Sequence, residues 1–526
     1  MSNENFIWRF SPSRTAPELL EAIFVQRESL LQDLLERVAE SATTGSKHHV
    51  LLIGPRGFGK THLITLLNHR LSNDSSLTDR IRVAWLLEDE TITSFVQLLK
   101  RIYEILAQQH PGDFPLKWLQ ELLDESPRQI QRQLQDRLIE AFRDRTLLLC
   151  IENLDVLFNG LGADGQHEWR AFLWEHPFTT IMASTQRLFE DVKSREKPFF
   201  GFFSPIHLDP LSVDDAVELL RRVALNRSAS ELVSFLDSAD GRSRVRALHH
   251  LAGGNHRIYV ALSSFITRES LDDFIGPFQR LADELTPHYQ ERLRWLSPQQ
   301  RQIVEYLCSQ DRPCMPKQIA RHLMAAENSV SSQLKKLLET GYLLRSERGR
   351  ESLYELAEPL MRLASEVKEQ KPRRPLQVLL KFLRVWYCPE DRTRFTLQTG
   401  ADTDHGAALK TDIDGRDFVT ADVKTIREFG LRYAHPADIE MIGASLLRRL
   451  ARFDMEKVTP TSLYKWRDSW VEFGSQYPEF QVPLRLLGVG IEYLIKQDRR
   501  VLLDLIVIER QILEQALEIE VSTDSV

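Results

Sequence analysis

The chain has 526 residues, 42% of them hydrophobic and 27% charged, too apolar for a disordered protein and too long for one ordinary core, so two to four packed domains are expected. With 68 basic against 75 acidic side chains and a formal net charge of -7, the chain as a whole has no attraction for phosphate backbones or anionic membranes. Any nucleic-acid contact must come from a local patch.

The N-terminal stretch Met1 to Phe10 has no basic segment followed by an apolar one, so a signal peptide is not expected. The longest apolar runs, such as Val501 to Ile508, carry a charge or are too short to span a bilayer, and a cytoplasmic protein is the expectation. Cys150, Cys308, Cys314 and Cys388 are too sparse for a disulfide framework. Cys308 and Cys314 with His322 lack the close paired spacing of a structural zinc site.

In chain order, His49 to Ile53 is a short apolar run of strand type, followed by Gly54-Pro55-Arg56-Gly57-Phe58-Gly59-Lys60-Thr61 and then a helical pattern from Thr61 to Asn68. Strand, glycine-rich loop and helix together make a phosphate cradle. Gly54, Gly57 and Gly59 let backbone N–H groups turn inward, and the helix that follows points its positive end at the anion. In this pattern Lys60 reaches the β- and γ-phosphates and the Thr61 hydroxyl is a Mg²⁺ ligand. ATP with Mg²⁺ is the expected ligand.

Arg82 to Leu87 reads as a second strand, with a helix from Ile92 to about Leu106. Thr146 to Ile151 is an apolar run ending in Glu152-Asn153-Leu154-Asp155, where an acidic residue at the carboxyl end of a buried strand holds the metal's water shell, which makes Glu152 the second metal candidate. Thr179 to Ala183 ends in Ser184-Thr185-Gln186, whose polar side chains, Thr185 among them, are placed to touch the γ-phosphate or the attacking water. Strand–helix alternation of this kind predicts an α/β fold with a parallel sheet, helices on both faces and the ligand at the carboxyl ends of the strands.

Further on, Pro298 to Cys308, Pro316 to Leu323 and Asn328 to Gly341 are three helical stretches, the last ending on a glycine. Tyr342 to Leu356 follows as two β-type runs around a charged glycine turn. If this module reads DNA, Ser329, Ser332, Gln333 and Lys336 on the third helix face the groove and Arg345, Arg348 and Arg350 hold phosphates. The net charge over residues 297–356 is only +2, so contact with a partner protein is an equal reading. Beyond Pro375 the pattern is mostly helical, with amphipathic stretches at Ala437 to Leu450 and Leu484 to Ile495. Trp466, Trp470, Phe473 and Tyr477 follow helical spacing and read as core. This remainder reads as a partner-binding or oligomer-forming helical domain.

Ile23-Phe-Val-Gln-Arg27-Glu28 resembles the hydrophobic-Gly-Arg-Glu box that seats adenine in origin-recognition-type AAA+ proteins, archaeal-type ATPases and the STAND ATPases, with Gln26 in place of the usual glycine. Leu208 to Ala216 resembles the entry to their helical lid. Gly253-Gly254-Asn255-His256-Arg257 resembles the lid's Gly-Gly-Asn-Pro-Arg segment, whose arginine reaches the γ-phosphate. Residues 298–363 resemble the winged helix-turn-helix behind that lid.

The resemblance implies an ATPase core over 1–205, a helical lid over 206–290, a winged helix over 291–367 and a helical C-terminal domain over 368–526. It makes Val25, Arg27, the residues from Gly54 to His62, Thr185 and Arg257 nucleotide contacts, and Lys60, Glu152, Asn153 and Arg257 the catalytic candidates. Arg187 and Arg195 are the positions open to an arginine that completes a neighbouring subunit's site.

Family members carry Asp then Glu where this chain has Glu152 and Asn153. Asn153 cannot accept a proton, so slow hydrolysis is expected. The function implied is an ATP-controlled switch coupling nucleotide state to oligomer assembly and to DNA or partner engagement, of a kind found in antiviral and mobile-element systems. The alternatives are an ATP-sensing, DNA-binding transcriptional regulator and a non-catalytic helical scaffold for partner proteins.

Overall fold

Val50–Ile53, Thr146–Ile151 and Thr179–Thr185 are buried at every position, the pattern of strands covered on both faces of a parallel sheet. The computed structural model describes residues 15–87, 91–122, 124–252, 254–263, 296–310, 312–358, 360–362, 459–475 and 480–519, with single positions at 286, 289, 290, 292–294, 443, 446, 447, 450, 451 and 477. The chain divides into two units, one within residues 1–228 and 254–261 and the other within 229–253 and 262–526.

The first unit runs α1 (Pro17–Ala22), α2 (Glu28–Thr43), β1 (Val50–Ile53), α3 (Lys60–Asn73), β2 (Ile81–Leu86), α4 (Phe95–Gln109), α5 (Leu116–Leu122), α6 (Pro127–Ala141), β3 (Thr146–Ile151), α7 (Leu154–Glu175), β4 (Thr179–Thr185), α8 (Glu190–Lys193), β5 (Ser204–His207) and α9 (Val213–Asn226). The chain then forms α10 (Ser230–Asp237) and α11 (Ala239–Ala252) of the second unit. It returns to the first at Gly254, just before α12 (His256–Ser263).

The sheet has the order β2-β3-β4-β1-β5, and every pairing is parallel. Ile53 of β1 is in register with Thr185 of β4, and Ala183 of β4 with Ile151 of β3. The carboxyl ends of these three strands therefore lie side by side. The sequence does not announce β5: Ser204-Pro-Ile-His is short and mostly exposed, as an edge strand with a proline can be.

Helices α2 and α3 pack on β3 and β4, and α4 and α7 on β2 and β4. Their apolar faces build a core rich in aromatic rings, with Phe158 within 5.9 Å of Trp169 and 4.7 Å of Phe199. Ser212 starts α9 with a capping box, its hydroxyl accepting from Asp215 N at 3.1 Å while the Asp215 carboxylate accepts from Ser212 N at 3.0 Å. Two otherwise unpaired N–H groups are satisfied that way.

In the second unit, helices Pro298–Ser309, Pro316–His322 and Glu327–Glu339 enclose Ile303, Leu307, Ile319, Val330, Leu334 and Leu337. The antiparallel strands β6 (Leu343–Arg348) and β7 (Glu351–Leu356) follow, turning at Gly349 and Arg350. Helices Pro460–Gly474, Gln481–Lys496 and Val507–Ala516 and the 3-10 helix Arg499–Asp504 complete the described part.

Glu355 of β7, 5% exposed, accepts Val507 N (2.9 Å) and Arg510 Nη2 (3.2 Å). It thereby caps the first turn of helix Val507–Ala516. Trp470 is buried against Phe480, and Trp466 and Tyr477 are half-buried. No helix among the described residues is long and apolar enough to cross a membrane. Met1 to Phe10, most of the stretch read as helix over 437–450, the Phe473 side chain and Cys388 lie outside the described residues.

Candidate nucleotide site

The loop from Gly54 to Gly59 joins the carboxyl end of β1 to the first turn of α3, and Gly54 N donates to Thr185 O at 3.2 Å, seating the loop on β4. Gly57 (φ 85°) and Gly59 (φ 78°) hold the left-handed conformations the turn needs. A Cβ at Gly57 would lie 2.2 Å from Asn255 Oδ1, and one at Gly59 would lie 3.1 Å from Arg27 Nη1. Glycine suits the backbone angle at both positions, and at Gly57 it also leaves room for the Asn255 side chain. The 14-residue helix α3 directs its N-terminus at this loop, which makes an anion site.

Lys60 Nζ donates to the loop carbonyls of Gly54 and Pro55, the latter at 3.0 Å. Burial pushes its ammonium down to about 7 and the Arg257 charge adds to the shift, while Glu152 and Asp155 oppose it. Two guanidiniums, Arg257 and Arg56, and two carboxylates, Glu152 and Asp155, thus act on the Lys60 ammonium.

Arg27, 7% exposed, donates to Phe58 O and to Asp209 O (2.6 Å), tying the loop to the entry of α9. Burial lowers it to about 10, against the pull of Asp209 and Asp215. Gln26 has φ 72°, which explains why glycine is usual there in the resembling box. Its Nε2 donates to Pro210 O at 3.2 Å, offsetting part of a strain of about 1–2 kcal/mol.

Asn255, 6% exposed, is a contact that sequence reasoning left without a role. Its Nδ2 donates to Arg56 O (3.0 Å) and its Oδ1 accepts from Arg257 N (3.1 Å), while Arg257 N also reaches Gly57 O at 3.1 Å. Beside the loop lies a small, partly open pocket lined by Ile23, Phe24, Val25, Arg27, His62 and His256. His62 pairs with Leu20 O (3.0 Å), and its ring centre lies 5.4 Å from that of Phe24. Burial pushes His62 down to about 4 and His256 well below its usual value. Apolar side chains and two neutral imidazoles, with the Arg27 guanidinium at the edge, give the pocket a mostly apolar lining.

At the end of β3, Glu152 N donates to Leu86 O (3.1 Å). Asn153 is left-handed (φ 54°) and starts α7; asparagine tolerates that conformation better than glutamate does. The Thr185 hydroxyl, fully buried, donates to Asp155 Oδ1 (3.0 Å), with Arg187 O as second acceptor (3.1 Å). Arg187 is half-buried and Arg195 is exposed, just past α8.

In the second unit, Ser332, Lys336 and Arg350 are exposed and Gln333 is half-buried. The other groups proposed for nucleic acid are engaged within the chain. Ser329 bonds Gln299 (3.0 Å), Arg345 pairs with Glu347 (2.5 Å), and Arg348 pairs with Asp504 (2.5 Å) and Glu351 (3.5 Å).

A glycine loop between a buried parallel strand and a helix, with its lysine inside and two neighbouring strands ending beside it, defines a P-loop nucleotide-binding core. Residues 23–262 match the AAA ATPase domain family. Among solved structures, the Walker-type ATPase of Pyrococcus abyssi is 16% identical, covering 65% of this chain and 96% of its own, with a TM-score of 0.46. The ORC1 protein of Aeropyrum pernix in complex with DNA is 15% identical (69% and 96% covered, TM-score 0.40). The ORC2 protein of the same organism is 13% identical (66% and 96%, TM-score 0.45). No curated protein matches the sequence.

Proposed function

We propose that the chain is an ATP-binding molecular switch: its AAA+ core holds ATP with Mg²⁺, hydrolyses it slowly, and couples the nucleotide state to assembly of copies and to engagement of a partner. The observation that carries this reading is the Gly54–Thr61 loop, with Gly57 and Gly59 in left-handed conformations and Lys60 folded against the loop's own carbonyls. An ammonium so placed can exchange two carbonyl oxygens for phosphate oxygens.

In this account Val25, Arg27 and His62 border the base, the loop N–H groups and Lys60 hold the phosphates, and Arg257 reaches the γ-phosphate. The hydroxyl of Thr61 and the carboxylate of Glu152 are hard oxygen donors of the type Mg²⁺ takes. When bound, the ion neutralises charge on the phosphates. A nucleotide present at about a thousand times its dissociation constant stabilises the form that binds it by roughly 4 kcal/mol, enough to change which conformation dominates.

The three helices and hairpin of residues 298–356 fit a winged helix. Arg345 and Arg348 already pair with carboxylates of the chain, which favours a protein partner over nucleic acid for the hairpin. The test of the nucleotide reading is an equilibrium titration with a fluorescent ATP analogue and Mg²⁺. Lys60→Ala is expected to lose binding, and wild-type affinity in that variant would sink the proposal.

A further inference from the structure

In the resembling ATPases a glutamate directly after the metal carboxylate polarises the attacking water, and here that position is Asn153. A carboxamide takes no proton at neutral pH. The left-handed backbone at Asn153 (φ 54°) moreover suits asparagine for conformational reasons alone. A carboxylate that takes the water's proton at this site therefore belongs to another residue.

We propose that Asp155, oriented by Thr185, is the catalytic carboxylate that receives the proton of the attacking water. The proposal rests on the ATPase reading above. Three observations place Asp155 there. First, β4 lies between β1 and β3 in the sheet, so the ends of the strands bearing the loop, Thr185 and the Glu152–Asp155 segment are successive neighbours.

Second, Thr185 joins the two sides: its carbonyl accepts Gly54 N of the loop (3.2 Å), and its hydroxyl donates to Asp155 Oδ1 (3.0 Å). One fully buried residue thus fixes the carboxylate relative to the phosphate cradle. Third, Asp155 sits in the first turn of α7, directly after the carboxyl end of β3. The action of both Glu152 and Asp155 on the Lys60 ammonium agrees with this placement.

In the step itself, the water oxygen bonds to the γ-phosphorus as the bond to the β–γ bridging oxygen breaks. The bonding pair leaves with ADP, and the water's proton passes to Asp155 Oδ2 and from there to inorganic phosphate.

The experiment measures ATP affinity and steady-state hydrolysis for the full chain and two variants. Asp155→Asn keeps an oxygen that can accept from Thr185, so ATP affinity should stay within about threefold while kcat falls by roughly 10²-fold or more. Thr185→Val retains the carboxylate but frees it to rotate, giving a smaller kcat loss than Asp155→Asn. Turnover of Asp155→Asn within threefold of the parent overturns the assignment. A parent chain that binds ATP without hydrolysing it also overturns the assignment, and leaves the binding reading standing. A parent chain that does not bind ATP overturns that reading itself.

Discussion

Adding one methyl group to Gly57 should disturb the loop through a single neighbour, Asn255. The new Cβ would sit 2.2 Å from Asn255 Oδ1 and 2.9 Å from its Nδ2, so the carboxamide has to leave. Two hydrogen bonds go with it, Nδ2 to Arg56 O and Oδ1 from Arg257 N, together about 1–3 kcal/mol. A left-handed φ for alanine adds about 1–2 kcal/mol, so Gly57→Ala should cost about 2–5 kcal/mol.

Asn255→Ala loses only the two hydrogen bonds, about 1–3 kcal/mol. The double variant should cost no more than Gly57→Ala alone, because the clash and the bonds are the same interaction seen from two sides. Protection of the β1 amides Val50–Ile53, which exchange only when the core opens, measures each free energy. Additive costs for the two substitutions would refute the reasoning.

Other consequences follow from particular side chains. Gln26→Gly relieves the positive φ while giving up one exposed hydrogen bond; stability should stay within about 1 kcal/mol of the parent, and a loss above about 2 kcal/mol in the same exchange measurement counts against the strain argument. His49 stacks on Phe202 at 4.0 Å, and burial, with help from Arg170, pushes it down to about 4. Its folded-state value lies below the unfolded 6.5, so its contribution is complete above pH 6.5 and is lost as pH falls toward 4, by about 3 kcal/mol in all. His49→Phe should flatten the acid side of a melting-temperature profile, and equal slopes for the two proteins would contradict this. Glu355→Ala removes the carboxylate partner of Arg510 and of Val507 N in a buried place and should cost about 3 kcal/mol, whereas Arg348→Ala, at a surface pair, should cost under about 1 kcal/mol. Urea unfolding of both variants checks the order, and a larger loss for Arg348→Ala would reverse it.

The strands that position the site were legible because parallel strands buried on both faces leave continuous apolar runs, as in Thr146–Ile151. The loop was legible from its glycines and lysine. What the sequence does not carry is adjacency. Asn255 and Arg56 are 199 residues apart, and nothing local marks Asn255 as the residue that excludes a side chain at Gly57. Thr185 and Asp155 could each be placed at a strand end, but their bond depends on β3 lying beside β4. The strand β5 escaped because an exposed edge strand needs no apolar alternation. Three of the groups proposed for nucleic acid, Ser329, Arg345 and Arg348, bond within the chain, and only packing reveals that.

ATP with Mg²⁺ is proposed to bind at the glycine loop between β1 and α3. Amide hydrogen exchange of the full chain with and without ATP and Mg²⁺ tests it most directly. Slowed exchange is expected, concentrated in residues 54–67, around Glu152 and in residues 254–261. Unchanged exchange there, with protection elsewhere or nowhere, would contradict it.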